Sequence, residues 1–173
     1  KIGDLIGEHT KGAYHRMRDL QGLVDFSHCQ RYLMMGCGPV PGSLFYLHDW
    51  TSIPEIVGVE RDETSADRAR ALVSHLGLPR IKIVDGDAAT LDYSPYDVIN
   101  WDPFATPREA IRTRLVETAS PGCTVILRDP TPAGELFFDP RVGSLAPPFR
   151  VLGSSDGFPG RFRLKHHILT VDG

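Results

Sequence analysis

The chain has 173 residues, 41% of them hydrophobic and 24% charged, with a formal net charge of -3. That is the size and composition of one soluble globular domain with a sizeable core. The slightly acidic balance argues against a polyanion partner such as nucleic acid, and no apolar run approaches the roughly 20 residues a membrane helix needs. The opening Lys1-Ile2-Gly3-Asp4 is polar, unlike a signal peptide, and the lack of an initiating Met points to residues upstream. Cys29, Cys37 and Cys123 are odd in number and far apart, which predicts reduced thiols in a cytoplasmic protein rather than a disulfide frame or a zinc site.

In chain order, the apolar run 31–35 predicts a first strand, and Ser43-Leu-Phe-Tyr-Leu-His-Asp-Trp50 a helix. The β-branched run 55–60 predicts a buried strand. Ala66, Ala69, Leu72, Val73 and Leu76, spaced by three and four, predict a helix over 64–76 with Gly77 as its C-cap glycine. Residues 80–84 and 96–101 read as further strands. Thr106-Pro107-Arg108-Glu109 predicts a capping box with proline at the first helical position. The helix that follows, 107–118, turns Ile111, Leu115 and Val116 inward. Pro121-Gly122 leads into a strand over 123–127. Residues 129–148 are rich in Pro and Gly. Residues 149–153 and 162–171 read as two strands around the loop 154–160. The alternation predicts an α/β fold with a mostly parallel sheet and an antiparallel C-terminal strand pair. Residues 1–29 are an N-terminal helical segment in this reading, and 30–173 one Rossmann-like domain.

The candidate site begins at the first strand's end. Gly36, Gly38 and Gly42, with Pro39 between them, follow a predicted strand and open a predicted helix. Glycine allows a sharp turn and lets a ligand lie against bare N–H groups. Glu60 ends the next strand, beside Arg61. A carboxylate there matches the vicinal hydroxyls of a ribose. After the third strand, Asp87-Ala88 offers an acid and a small residue suited to an adenine amino group, with a plain Asp-Gly turn as the alternative. Asn100-Trp101-Asp102-Pro103-Phe104 ends the fourth strand. All four elements fall at strand carboxyl ends, where open α/β sheets bind ligands.

On these residues the sequence resembles the class I S-adenosylmethionine (SAM)-dependent methyltransferase superfamily over roughly residues 30–171. Ordinary members carry an acid two residues before the first glycine, where this chain has Met34. The loop Gly36-Cys37-Gly38-Pro39-Val40-Pro41 and the stretches Tyr96–Ile99 and Ser120–Arg128 resemble nicotianamine synthases and bacterial opine-metallophore synthases. That resemblance implies transfer of the 3-amino-3-carboxypropyl group of SAM to an amine, with release of methylthioadenosine. A related set closes SAM's own amine into azetidine-2-carboxylate. The synthases usually add a helical N-terminal domain, whereas about 30 residues precede the first strand here. A small-molecule methyltransferase and an inert SAM-binding module are the other readings. A nicotinamide dehydrogenase fits the loose glycine spacing less well.

The resemblance implies SAM as substrate, held by Gly36, Gly38, Pro39, Gly42, Glu60, Arg61, Asp87, Ala88, Asn100, Trp101 and Phe104. Its partner is a small-molecule amine or amino acid, with no nucleic acid and no membrane; a homodimer stays open. Asn100 and Asp102 are the candidates for binding or orienting the amine. Asp102-Pro103-Phe104 is also one proline short of an amino-methyltransferase element, and a plain strand-end turn set by Pro103 is the alternative. Trp101, Phe104 and Tyr14 are candidates to line the sulfonium, because aromatic faces attract cations. Arg128, at the fifth strand's end, is read either as a carboxylate binder or as a surface arginine. No metal is expected: His166 and His167 are strand neighbours that point to opposite faces. Ser27-His28-Cys29 has no partner pattern for nucleophilic catalysis.

Overall fold

The computed structural model describes residues 2, 17, 18, 20–130, 149–156 and 164–172. It divides into two compact units, Lys1–Gly86 and Asp87–Gly173. Tyr14 and most of the predicted N-terminal helical segment lie outside the described residues, as does the Pro- and Gly-rich stretch 131–148; residues 17, 18 and 20 are helical.

The first unit contains β1 (Arg31–Met35), α1 (Gly42–Trp50), β2 (Glu55–Glu60), α2 (Glu63–His75) and β3 (Ile81–Asp85). The strands are parallel in the order β3-β2-β1. Tyr32–Met35 and Ile56–Val59 are buried without alternation, as parallel strands covered on both faces are. In α1, Gly42–Leu47 are all buried, which marks a helix enclosed by protein. Arg80 secures its far end: Nη1 donates to the Thr51 carbonyl (3.0 Å) and the Ile53 carbonyl (2.7 Å), and Nη2 to the His48 carbonyl. The His48 carbonyl lies in the last turn of α1, where carbonyls lack a helical partner; Thr51 and Ile53 follow the helix. α2 is amphipathic. Ala66, Ala69 and Val73 are buried, while Leu72 and Leu76 are only half-buried. Asp62 caps it by accepting from the Ser65 N–H at 2.8 Å. Gly77 follows at φ +63°, a left-handed value that favours glycine after a helix.

The second unit contains a 3-10 turn (Ala88–Thr90), β4 (Val98–Trp101), α3 (Arg108–Thr118), β5 (Thr124–Pro130), β6 (Phe149–Asp156) and β7 (Leu164–Val171). The order is β4-β5-β7-β6. β4 and β5 are parallel, and β7 runs antiparallel to both β5 and β6, as the tail of the sequence predicts. β6 is longer than predicted and absorbs a register shift between Val151 and Gly153.

Two local expectations are corrected. The Thr106 capping box does not form: Pro107, at ψ 129°, is itself the N-cap residue, and no side chain caps α3. Thr106 therefore sits one residue outside the position from which a hydroxyl reaches the first-turn N–H groups. Val116 is exposed, whereas Ile111 and Leu115, four apart, carry the buried face of α3.

Candidate functional site

The glycine turn is built from backbone. Gly36 and Gly38 adopt φ +69° and +68°, a region other residues enter at a cost. The Gly36 and Cys37 N–H groups donate to the Val59 carbonyl at 2.8 and 3.2 Å, carrying the chain from β1 across the end of β2. The Gly38 N–H donates to Glu60 Oε2 at 3.0 Å. Glu60 Oε1 accepts from the Arg61 and Asp62 N–H groups at 2.9 and 3.0 Å. One carboxylate thus ties the turn to the start of α2. A carboxylate offers about four lone-pair positions, and these three N–H groups leave room for a hydroxyl donor. Among the described residues nothing lies within 4 Å of a Cβ built at Gly38, so they leave that side of the turn open. Pro39 is exposed, and Gly42 is the buried first residue of α1. The first turn of α1 has no acidic residue and no side-chain cap; its Gly42 and Leu44 N–H groups donate to the Val40 and Pro41 carbonyls at 2.8 and 3.0 Å.

Gly58 is a site residue that sequence reading misses. A Cβ there would lie 2.7 Å from Leu44 Cδ1 and 2.9 Å from both Cβ and Sγ of Cys37. The glycine in mid-β2 is what lets the turn and α1 settle onto the strand. A glycine inside a strand is the available signal for such a close approach. Burial, with help from the Glu60 carboxylate, pushes the Cys37 thiol up to about 12. That removes Cys37 as a nucleophile near neutral pH.

In the second unit Asp87 opens the 3-10 turn, with Oδ1 accepting from the Ala89 N–H at 2.9 Å. The Ala88 carbonyl accepts from the Tyr93 hydroxyl, whose own ionisation burial pushes upward. After β4 the chain makes a tight turn. The Ala105 N–H donates to the Asp102 carbonyl (3.0 Å) and the Phe104 N–H to Asp102 Oδ1 (3.2 Å), with Pro103 at the turn position that favours it.

The two faces of this strand end differ, because successive strand residues alternate. On one face are Asn100, Asp102, Arg128 and His166, all buried. Asn100 is opposite Ile126, and one step beyond the Trp101–Leu127 pair Asp102 comes opposite Arg128. Arg128 is opposite His166 on β7. Arg128 Nη1 donates to Asp102 Oδ2 in a buried ion pair, so Arg128 is not the surface arginine of the alternative reading. On the other face the Arg108 guanidinium, from the start of α3, lies 5.0 Å from the centroid of the Trp101 ring. It pairs with buried Asp129. Trp101 is fully buried, with Nε1 donating to the Ala105 carbonyl at 3.3 Å. One ring face of Trp101 therefore already holds a cation. Phe104, by contrast, is 73% exposed. Arg108 and Asp129 carry no sequence signal, since their pairing depends on which face each residue takes.

Among the described residues no group of three His, Cys, Asp or Glu side chains could hold a metal. No helix among them is long and apolar enough to cross a membrane. A cavity of about 790 Å³ lined by Gln21, Leu23, Asp25 and Trp50 contains none of the predicted site residues. It lies at the carboxyl end of α1, opposite to the glycine turn.

No protein-family model matches the sequence, and no curated protein matches it. Solved structures do. MtNAS, a nicotianamine synthase, in complex with MTA and tNA superposes with a TM-score of 0.82 at 18% identity, over 95% of this chain and 62% of that one. A mutant of MtNAS in complex with S-adenosylmethionine gives 0.80 at 18%, over 94% and 63%. An RNA methyltransferase from Salinibacter ruber in complex with S-adenosyl-L-homocysteine gives 0.67 at 19%, over 94% and 92%. The chain spans about three-fifths of the length of the MtNAS structures. At these identities the likeness is one of fold: the chain has the Rossmann-like fold of the class I SAM-dependent methyltransferases.

Proposed function

We propose that this protein is a SAM-dependent transferase of the nicotianamine-synthase-like type, acting on a small-molecule amine or amino acid. The observation that carries the proposal is the Glu60 carboxylate bonded to the Gly38 N–H of an open glycine turn. That couples a ribose-binding acid to the backbone donors against which a nucleoside lies. The residues fit SAM: Glu60 has acceptor capacity for a ribose hydroxyl, and Asp87 suits an adenine amino group. Bound SAM supplies a sulfonium whose methyl or methionine γ-carbon an amine attacks, the carbon–sulfur electron pair leaving with sulfur.

The chain's own groups hold and orient. Asp102 has Oδ2 on Arg128 and Oδ1 on the Phe104 N–H, so it is a fixed acceptor that aims an amine. Asn100 shares its face, and placement of this kind supplies much of the rate in a displacement. Buried Met34, where ordinary methyltransferases carry an acid, favours the aminocarboxypropyl reading over methyl transfer. The methyltransferase, the SAM cyclase and the inert SAM-binding module are the competing readings.

Incubation of the purified protein with SAM, alone and with an amine and amino-acid mixture, followed by mass spectrometry, separates them. Methylthioadenosine formed only with an acceptor is the expected result. Methylthioadenosine with azetidine-2-carboxylate and no acceptor identifies a cyclase. S-adenosylhomocysteine sinks the synthase reading in favour of methyl transfer, and SAM binding with no product favours the inert module.

A further inference from the structure

We infer that Arg128 is a receptor for the carboxylate of an α-amino acid, with Asp102 and Asn100 beside it to take the amino group. The inference rests on the transferase reading and narrows its substrate class.

Arg128 is 7% exposed and sits with Asn100, Asp102 and His166, all at or below 6%, on one face of the β4–β5–β7 strands. Only Nη1 meets Asp102. Nε is buried and has no hydrogen-bond partner among the described residues. A buried N–H left unpaired is destabilising, the more so when the group is charged, so it calls for an explanation. Nε and the neighbouring Nη form the side-on edge of a guanidinium, a planar fork that matches a carboxylate with two parallel hydrogen bonds. Asp102 neutralises the arginine from the other edge, so the pair is electrically balanced before a ligand arrives. A zwitterion brings one negative and one positive group, and Arg128 next to Asp102 presents their complements.

Two ligands carry this chemistry: an acceptor amino acid and the methionine end of SAM. Saturation-transfer NMR on the full chain distinguishes them. The probes are a mixture of the common amino acids, the matching amines without the carboxylate, SAM, and methylthioadenosine, which lacks the amino-acid portion. The variants are Arg128→Lys, which keeps the charge on Asp102 but loses the fork, and the double variant Arg128→Leu with Asp102→Leu, which removes both charges so that neither is left buried alone. Melting curves establish that each is folded.

If the ligand is an acceptor, amino acids bind at least about 10-fold better than the matching amines, and both variants remove that preference while SAM affinity holds. If it is SAM itself, both variants weaken SAM at least about 10-fold and leave methylthioadenosine unchanged. Either result supports the inference. Unchanged amino-acid and SAM binding in both variants overturns it, as does equal binding of amines and amino acids with SAM unaffected. Amino-acid binding that depends on Arg128 in a protein blind to both SAM and methylthioadenosine supports Arg128 and sinks the transferase reading. SAM turnover indifferent to Arg128 does the reverse.

Discussion

The glycine turn of the first unit and the β4–β5 end of the second solve the problem of a polar site differently. The turn uses backbone: two left-handed glycines and three N–H groups gathered on the Glu60 carboxylate. The strand end uses side chains: Asp102 with Arg128 on one face, and Asp129 with Arg108 on the other. Backbone donors cost little to arrange, because the chain carries them everywhere and glycine only has to bend it. Buried charges are costly to place and are tolerated only in pairs. The first design depends on its glycines and on one side chain, Glu60, and tolerates change in its other side chains. The second tolerates change in neither partner alone.

Substitutions that strike one design and spare the other test this contrast. The largest effect belongs to Arg108→Ala, which removes the guanidinium that pairs with buried Asp129. We expect a loss of about 3–5 kcal/mol in urea unfolding, with much of it restored by Arg108→Leu combined with Asp129→Leu. Equal stability of the single and double variants would show that the pair is not a coupled unit. Glu60→Ala removes a charged acceptor from three N–H groups and from the proposed ribose contact. The expected result is SAM binding weaker by about 100-fold, equivalent to about 2.7 kcal/mol, read by calorimetry; retained affinity would separate the turn from the ligand. Gly58→Ala forces a Cβ against Leu44 and Cys37 and should cost about 1–3 kcal/mol as overpacking. SAM affinity should fall with it while the buried pairs of the second unit stay intact. Gly77→Ala, at φ +63° with open space around it, should cost only the backbone penalty of about 1–2 kcal/mol and leave binding unchanged.

The smallest effect is on pH dependence. Burial, then the Arg80 charge, lowers the pKa of His48 from its ordinary 6.5. The folded state therefore binds its proton less readily than the unfolded state does. That stabilisation is present above 6.5 and is lost as pH falls through 6.5 towards the lower folded value. His48→Gln should flatten this part of the stability profile in thermal melts between pH 7 and 5.

Much of the first design was legible in the sequence, because its signals are local. The run Glu-Ile-Val-Gly-Val-Glu from Glu55 to Glu60 predicts a strand with those same limits, and Gly77 marks the end of α2. Gly36 and Gly38 announce a turn by their spacing alone. The second design was not legible. Arg128 lies 26 residues from Asp102, and Arg108 lies 21 from Asp129. Their meeting depends on the β4–β5 register and on which face each residue takes. At Thr106-Pro107 the local rule misled, because an extended Pro107 moved the helix start by one residue. Gly58 lay within a strand whose pattern was otherwise complete, so nothing nearby showed what pressed against it.

The three cysteines, each buried and in a different part of the chain, have a practical consequence. A thiol sealed inside a native protein reacts with an alkylating reagent only when the structure around it opens. Cys29 and Cys37 belong to the first unit and Cys123 to the second. Their labelling rates, resolved by peptide mass, would give an opening free energy for each region of the unmodified protein. A ligand that clamps the glycine turn should slow labelling at Cys37 by the factor with which it favours the closed state, so the protein carries its own binding gauge.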